Sequence, residues 1–243
     1  MKQKNRKNLY ASVSLLAAFV LFTAALGFVD VRAIGPSGSS VGFAAINALF
    51  HGLTGVHMLL YHVTDWLGLV PIFVALCFAM LGLVQWIKRK KLRRVDYSLF
   101  ILGGFYIAVM AVYILFETVT VNYRPVRIDG ILETSYPSST TLLVLCVMPT
   151  AAMQLSSRIK NIALRKCLSL FIAAFIVFMV AGRLVSGVHW FTDIVGGTLL
   201  SAGLVMLYRY FAQPKDDEEI GWKNLTSHDI IQAKNKNLKG CKR

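Results

Sequence analysis

The sequence predicts an all-α, polytopic membrane protein with six transmembrane helices. Hydrophobic residues make up 56% of the 243 residues, and the mean hydropathy of +0.60 is far above that of an ordinary soluble domain. Six apolar stretches are each long enough to span a bilayer. Basic residues are concentrated in alternate connections, as expected for a chain that crosses the membrane repeatedly. We therefore predict one membrane domain over residues 9–211, with no soluble catalytic domain attached.

The six predicted transmembrane helices cover residues 9–28, 66–87, 97–116, 138–155, 167–182 and 193–211. The first is longer than a typical signal-peptide core, so we interpret it as an uncleaved helix; cleavage after the Ala24-Ala25-Leu26 region is the alternative. Pro71 lies in the first turns of the second helix, where proline is tolerated. Pro149 predicts a kink in the fourth helix, and Gly196-Gly197 predicts a close helix contact in the sixth.

A short amphipathic helix is predicted near residues 41–55, after a polar, Gly/Ser-rich loop at 30–40. Asn47, His51 and Thr54 form a polar stripe at helical spacing, and bulky apolar residues occupy much of the remaining surface. Such a helix lies in the interface between lipid headgroups and acyl chains. A re-entrant segment packed on the other helices fits the same pattern equally well.

The net charge of +14 reflects membrane orientation rather than nucleic-acid binding. With the N-terminus in the cytoplasm, the cytoplasmic segments carry 22 of the 26 Lys and Arg residues, which is the positive-inside pattern. We therefore predict a multi-pass plasma-membrane protein with both termini cytoplasmic. Residues 1–8 form its basic N-terminus, and residues 212–243 form a partly disordered tail. We expect no nucleic-acid partner.

Four arginines remain on the predicted outer side, where the positive-inside bias disfavours them. They are Arg32, Arg124, Arg127 and Arg183. Three of these fall in or beside segments that carry other polar residues. The segments are 122–125, 135–141 and 183–193, and all three lie on the same predicted membrane face. This face therefore holds the candidate site.

The run 183–193 contains residue types suited to attack on phosphorus. Asp193 follows His189 by four residues, so the two side chains meet if this part is helical. A carboxylate bonded to one imidazole nitrogen fixes the tautomer and leaves the other nitrogen free as a base or nucleophile. The guanidinium of Arg183 is a fork suited to phosphate. The run thus combines a nucleophile with a phosphate ligand.

The start of the fourth helix is a second candidate for phosphate binding. Pro137 ends the preceding loop, and Ser138 and Ser139 stand at the helix N-terminus. Free backbone N–H groups and the positive end of the helix dipole favour an anion there. Capping of the helix by Ser138, Ser139 or Thr140 explains the same residues without any ligand.

Together these motifs resemble the type-2 phosphatidic acid phosphatase family, which shares its fold with vanadium haloperoxidases. That family shows K-x6-R-P, then P-S-G-H, then S-R-x5-H-x3-D. The matches here, within roughly residues 40–211, are Arg124-Pro125, Pro137-Ser138 and Arg183…His189…Asp193. Their order, spacing and common membrane side all fit the family pattern.

The resemblance implies a role for each matching residue. His189 takes the phosphoryl group, and Asp193 orients it. Arg124, Arg183 and the amides around Ser138–Ser139 hold phosphate oxygens. No metal and no cofactor are implied, because arginines and amides stabilise the charge.

Three substitutions relative to the family pattern concern phosphate binding. Gly182 replaces the usual serine and Ser139 the usual glycine, and both look tolerable. Glu117 stands where the first motif has lysine, and a carboxylate there repels phosphate. We therefore expect Glu117 to point away or to pair with Arg127 or Arg124. Arg127 is a candidate for the missing cation.

The largest departure is Thr140, which stands where the family has the histidine that protonates the leaving group. Threonine is not a competent acid near neutral pH, and losing a general acid costs about 10²–10⁴ in rate. His51, His57 and His62 lie on the predicted outer side and are candidates for a substitute acid, although interfacial histidines are the more ordinary interpretation. An introduced inactivating change at Thr140 is a further alternative.

The resemblance thus implies a membrane lipid phosphatase acting at the extracytoplasmic face through a phosphohistidine. A phosphate that leaves from a diphosphate needs no added proton, so Thr140 favours a polyprenyl diphosphate over phosphatidic acid. Undecaprenyl diphosphate is the most concrete substrate for a bacterial host. Two alternatives remain open: an impaired family member that binds or moves anionic lipids, and a small transporter or structural membrane protein.

Overall fold

The computed structural model describes residues 2–90 and 95–212, and these residues form eight α-helices. The helices are α1 (Lys2–Ala25), α2 (Ala44–Thr54), α3 (Met58–Leu67), α4 (Leu69–Arg89), α5 (Tyr97–Thr118), α6 (Ser139–Arg158), α7 (Ile162–Val185) and α8 (Phe191–Ala212). Six helical segments are long and apolar enough to cross a membrane, with α3 and α4 together forming one of them. The predicted all-α fold with six spans is therefore confirmed. The predicted tail after Ala212 lies outside the described residues.

The predicted second helix corresponds to α4, which begins at Leu69, close to the predicted start near Trp66. The helix α3, which was not predicted, precedes it from Met58 and is continuous with it apart from the break at Gly68. Polar residues lowered the hydropathy of this stretch, but they are accommodated within the helix. Thr64 is buried and donates to the carbonyl of Leu60 over 2.9 Å. Asp65 pairs with an arginine of α7. The break between α3 and α4 falls at Gly68.

Other helix ends differ from the predicted bounds by a few residues. α7 begins at Ile162, five residues before the predicted start, because the side chain of Asn161 caps it by accepting from the N–H groups of Ala163 and Leu164. α1 ends at Ala25 and not at residue 28. These differences extend or shorten spans without changing their number.

α6 and α8 form the centre of the bundle. Gly196 of α8 packs against the ring of Tyr136, and Gly197 packs against Thr141, so neither position has free space for a side chain. The predicted close helix contact at these glycines is thereby confirmed. α8 also packs along α1, where Ser12 Oγ donates to the carbonyl of Gly203 over 2.9 Å.

Three connections meet at one end of the bundle, which we call the site end: 26–57, 119–138 and 186–190. Each joins an odd-numbered span to the next even-numbered one, so all three lie on the same side. Backbone hydrogen bonds link them, from His57 to Ser186 over 2.9 Å and from Ser138 to Asp193 over 3.1 Å. Residues 95–96 and 159–161, which lie between the other spans, are at the opposite end.

The predicted short helix near 41–55 is present as α2. Its polar stripe faces the bundle: Asn47 Nδ2 donates to Thr192 Oγ1 over 3.0 Å, and Asn47 Oδ1 accepts from the Thr192 N–H over 3.1 Å. The ring of Phe50 stacks on Phe191 at 4.1 Å between centroids. Leu53 on the other face is 74% exposed. The helix thus packs on α8 and presents an apolar face outward, combining features of both sequence interpretations.

Candidate active site

His189 lies in the turn between α7 and α8. α7 ends at Val185, and Gly187 then turns the chain with a φ of +68°, a backbone conformation that favours glycine. Gly187 also touches the backbone of Gly55, which leaves no room for a Cβ atom. Since α8 begins only at Phe191, His189 precedes the helix, so the condition of a helical His189–Asp193 segment is not met.

His189 and Asp193 nevertheless meet. His189 Nδ1 lies 3.5 Å from Asp193 Oδ2, and both side chains are buried. The N–H of Trp190 donates to the same carboxylate oxygen over 2.8 Å, which holds the carboxylate in place. The backbone of Ser135 lies close to the His189 ring, but neither ring nitrogen makes a well-aligned hydrogen bond among the described residues. Catalytic hydrogen bonds are often long before substrate binds, so this geometry suits a histidine oriented by a carboxylate.

The surroundings of His189 favour a neutral imidazole. Burial lowers the pKa of His189 well below 6.5, and the charges of Arg124 and Arg183 lower it further. A neutral ring with an unprotonated nitrogen is the form that attacks phosphorus.

Arg183 is a buried cation with free N–H groups. Its Nη2 donates to Asp65 Oδ1 over 3.0 Å and to Thr140 Oγ1 over 2.5 Å. Its Nε and Nη1 have no partner in the described part of the chain, although the side chain is only 2% exposed. Buried donors are nearly always paired, so these N–H groups mark a place for a ligand oxygen.

Arg124 approaches the same space from the connection 119–138. Its Nε lies 3.1 Å from Glu133 Oε2 without the alignment of a hydrogen bond, and its Nη1 is also unpartnered within the described residues. The ring of Tyr61 on α3 contacts both arginines, with its centroid 5.0 Å from Cζ of Arg183 and 5.7 Å from Cζ of Arg124. These are cation–π distances. The two guanidinium groups therefore converge.

Ser138 and Ser139, at the start of α6, have different surroundings. Ser138 is the N-cap: its Oγ accepts from the Thr141 N–H over 3.5 Å, and its own N–H donates to the Asp193 carbonyl. Its backbone N–H is therefore already used. Ser139 and Thr140 follow in the first turn, where N–H groups have no acceptor within the helix. Both line a cavity, so anion binding at this helix end falls to Ser139 and Thr140.

A cavity of about 530 Å³ opens in front of these groups. Its polar lining includes both arginines and three carboxylates: Arg124, Arg183, Asp65, Glu117, Glu133, Tyr61, Tyr113, Thr134, Ser139 and Thr140. A much smaller pocket of about 10 Å³ borders His189. Tyr113, Glu117, Thr134 and Ser139 line both spaces. His189 thus adjoins the cavity that the two arginines line.

Glu117 does not point away, and the expectation that it does is wrong. α5 continues to Thr118, so Glu117 lies one turn after Tyr113 on the face that lines the cavity. No Lys or Arg of the described residues forms an ion pair with it. Arg124 lies beside Glu133, and the exposed Arg127 donates to Ser37 Oγ over 2.6 Å. Arg127 therefore does not line the cavity as the missing cation.

The three histidines considered as substitute acids do not line the cavity either. The ring of His51 lies edge-on to Trp190, 5.6 Å between centroids. His57 is exposed and bonds the carbonyl of Thr54 over 2.8 Å, and the exposed His62 lies beside Tyr61. Their positions match the ordinary interpretation of interfacial histidines.

The structure adds Tyr61, Asp65 and Glu133 to the site, none of which the sequence analysis singled out. Tyr61 and Asp65 are four residues apart, which is a helical spacing, but they were placed before the predicted start of the second span. The signal that could have found Asp65 and Glu133 is the need of the two buried arginines, Arg183 and Arg124, for a nearby carboxylate. No cluster of three or more His, Cys, Asp or Glu side chains suited to a metal ion occurs within residues 2–90 and 95–212.

Residues 116–217 match the family model of the PAP2 superfamily. This range contains every motif residue from Arg124 to Asp193. The chain contains a PAP2 superfamily domain. The resemblance to type-2 phosphatidic acid phosphatases drawn from its motifs is therefore confirmed.

A solved structure shares the fold of this chain. It is the first transmembrane PAP2-type phosphatidylglycerolphosphate phosphatase from Bacillus subtilis, with a TM-score of 0.54 and 20% identity, over 87% of this chain and 98% of that chain. No curated protein sequence matches this chain. The shared fold and the six apolar helices make it an integral membrane protein, and the family supports a phosphatase-type hydrolase.

Proposed function

We propose that this PAP2 protein is a lipid phosphatase that forms a phosphohistidine on His189. One observation carries the proposal: two buried, partly unpaired guanidinium groups converge on a cavity that adjoins the His189–Asp193 pair. Charge-assisted hydrogen bonds to phosphate oxygens are the strongest use of such groups. A lipid substrate places its phosphate in this cavity while its acyl or prenyl chain stays in the membrane.

The reaction proceeds in two half-reactions. Nε2 of His189 attacks phosphorus, and the bond to the leaving oxygen breaks. Asp193, facing Nδ1, stabilises the positive charge that develops on the ring. Arg124, Arg183 and the first-turn N–H groups of α6 stabilise the negative charge on the transferring group. Water then attacks the phosphohistidine, which releases phosphate and restores His189.

In this proposal the site end faces the extracytoplasmic side, and both termini are cytoplasmic. The support is the distribution of basic residues, because 22 of the 26 Lys and Arg lie in the termini and in the connections of the opposite end. Phosphate release then occurs outside the cytoplasm.

A polyprenyl diphosphate is the favoured substrate, with phosphatidic acid second. Thr140 holds no proton that it can give up near neutral pH, and its hydroxyl oxygen accepts from Arg183. A diphosphate expels a phosphate group, which is a stable anion and needs no proton. An alkoxide leaving from phosphatidic acid does need one.

The alternative is a protein that binds anionic lipids without hydrolysing them. It is favoured by Thr140 and by the position of Asp65 and Glu133 beside the two arginines, since a bound phosphate competes with these carboxylates. This alternative predicts lipid binding without phosphate release.

The experiment is phosphate release by the purified full-length protein in detergent, from undecaprenyl diphosphate and from phosphatidic acid. His189→Ala and Thr140→His are measured alongside, and acid-labile phosphohistidine is trapped with labelled substrate. We expect release by the unmodified protein, fastest on the diphosphate, and its loss with His189→Ala. If neither the unmodified protein nor a variant releases phosphate, while lipid binding is intact, the non-catalytic alternative is correct. Equal rates on the two lipids contradict the preference for the diphosphate.

A further inference from the structure

We infer that Glu117 is the general acid and base of this site, in place of the histidine that Thr140 replaces; this inference rests on the proposed phosphatase function. Glu117 is the only carboxylic acid, within the described residues, that lines both the cavity with the two arginines and the small pocket bordering His189. A proton donor for the leaving oxygen must reach this junction.

The two other carboxylates of the cavity are already engaged. Asp65 accepts from Arg183 over 3.0 Å, and Glu133 lies 3.1 Å from Nε of Arg124. Neither borders the pocket that contains His189. Glu117 has no ion-pair partner among the described residues and shares a hydrogen bond only with the neutral phenol of Tyr113, so no cation holds its carboxyl group in the ionised form.

A glutamate beside the phosphate can act as an acid if its carboxyl group is protonated when the substrate is bound. A carboxylate near a phosphate dianion is repelled by it, and the same repulsion favours the protonated, neutral form of the acid. A protonated carboxyl group can then donate a hydrogen bond to the phosphate ester. Glu117 is placed for such a bond, because it lines the space in front of His189.

The proton balance closes over the two half-reactions. When Nε2 of His189 bonds to phosphorus, the ester P–O bond breaks and the leaving alkoxide takes the proton of Glu117, giving an alcohol and a carboxylate. The carboxylate then accepts a proton from the water that attacks the phosphohistidine. Phosphate leaves, His189 returns to its neutral form, and Glu117 is protonated again. The pocket between Glu117 and His189 has about the volume of one water molecule.

This role extends the substrate range of the site. Without an acid, only leaving groups that need no proton are turned over rapidly. With Glu117 as the acid, lipid monophosphates become substrates as well, and their dependence on Glu117 distinguishes them from diphosphates.

The test compares Glu117→Gln with the unmodified protein on three substrates: phosphatidic acid, undecaprenyl diphosphate and p-nitrophenyl phosphate. Only the first expels an alkoxide. We expect Glu117→Gln to lose about 10²–10⁴ in the single-turnover rate of phosphohistidine formation from phosphatidic acid, and to stay within about threefold in this step with the other two. The later hydrolysis of the phosphohistidine, in which Glu117 is the base, is expected to slow equally for all three substrates. Retained phosphohistidine formation from the diphosphate also shows that the variant is folded. Thr140→His added to Glu117→Gln is expected to restore phosphatidic acid hydrolysis.

Two matched variants serve as controls. Glu133→Gln makes the same chemical change in the same cavity, away from the pocket with His189, and is expected to alter all three rates in the same proportion. Tyr113→Phe removes the neighbouring phenol. The inference is overturned if Glu117→Gln changes phosphohistidine formation equally for all three substrates or for none, or if Tyr113→Phe alone shows the loss selective for phosphatidic acid.

The failure of this inference and the failure of the proposed function give different results. If the unmodified protein hydrolyses the diphosphate and p-nitrophenyl phosphate but not phosphatidic acid, Glu117 is not an acid, and the phosphatase function stands. If the unmodified protein releases phosphate from none of the three, the phosphatase function fails and the role of Glu117 with it.

Discussion

The two ends of the bundle both carry arginines and carboxylates, but only the site end leaves such groups buried and unpaired. At the opposite end, Arg89 lies 3.0 Å and Arg158 3.9 Å from Asp96, and Gln85 donates to the same carboxylate over 2.9 Å. All buried side-chain nitrogen and oxygen atoms without a hydrogen-bond partner, within the described residues, lie at the site end.

The difference fits the proposed function, in which the polar groups of the opposite end are structural and those of the site end bind a phosphate. Hydrogen bonds from Gln85 and Arg89 lower the pKa of Asp96 although burial acts in the other direction, so this carboxylate is already satisfied by the fold. Arg183 and His189 gain full pairing only when something else enters the site. An unpaired buried donor costs about 1–3 kcal/mol, and a bound phosphate removes that cost.

The largest expected effect on kcat is found by comparing one carboxylate from each end, Asp193 and Asp96. Asp193→Asn removes the charge that stabilises the histidine cation, and we expect kcat for phosphate release to fall about 10³–10⁴-fold. Asp96→Asn is the matched change at the opposite end and is expected to keep kcat within about threefold. Comparable losses in both variants would show that the difference between the ends has no functional meaning.

The arginines give the next comparison. Arg183→Ala removes a phosphate ligand with two free N–H groups, and we expect kcat/KM to fall about 10²–10³-fold. Arg158→Ala breaks only contacts within the fold at the opposite end, so the activity of the remaining folded protein stays near that of the parent. Binding of a non-hydrolysable lipid phosphonate, measured by calorimetry, should weaken for Arg183→Ala alone.

Two asparagines allow the two ends to be compared in stability as well as activity: Asn47, buried at the site end, and Asn161, which caps α7 at the opposite end. Asn47→Ala leaves the Thr192 N–H without its acceptor and is expected to cost about 1–3 kcal/mol, and also to lower kcat because Thr192 precedes Asp193. Asn161→Ala removes the cap of α7 and costs about 0.5–2 kcal/mol without changing kcat. Thermal unfolding and initial rates of both variants check this. An unchanged kcat in Asn47→Ala would show that α2 does not position the catalytic pair.

The smallest expected effect concerns pH. Because the pKa of His189 lies well below 6.5, the nucleophile stays neutral as the pH falls from 7.5 to 5.5. A histidine with an ordinary pKa of about 6.5 would lose about tenfold in its neutral fraction over this range. With p-nitrophenyl phosphate, whose leaving group needs no acid, we expect the single-turnover rate to fall much less than tenfold. A tenfold fall with a midpoint near 6.5 would contradict the burial of His189 beside two arginines.

The sequence alone was sufficient for the membrane architecture. Twenty or so consecutive apolar residues have no stable place outside a bilayer or a large core, so the six spans follow from composition and length. The amphipathic helix α2 and the close contact at Gly196 also follow from local patterns. The spacing of the motifs indicated Arg124, Arg183, His189 and Asp193. Short, chemically specific patterns of this kind can be recognised in a sequence without knowledge of the fold.

The tertiary structure decided which partners these residues meet. The pairing of Arg183 with Asp65 and Thr140, the contact of Tyr61 with both arginines and the placement of Glu117 at the cavity all join residues far apart in the chain. Hydropathy placed Asp65 outside the membrane and motif comparison placed Glu117 away from phosphate. Both rules treat a polar residue by itself, whereas the cost of burying it depends on the groups that face it in the folded protein.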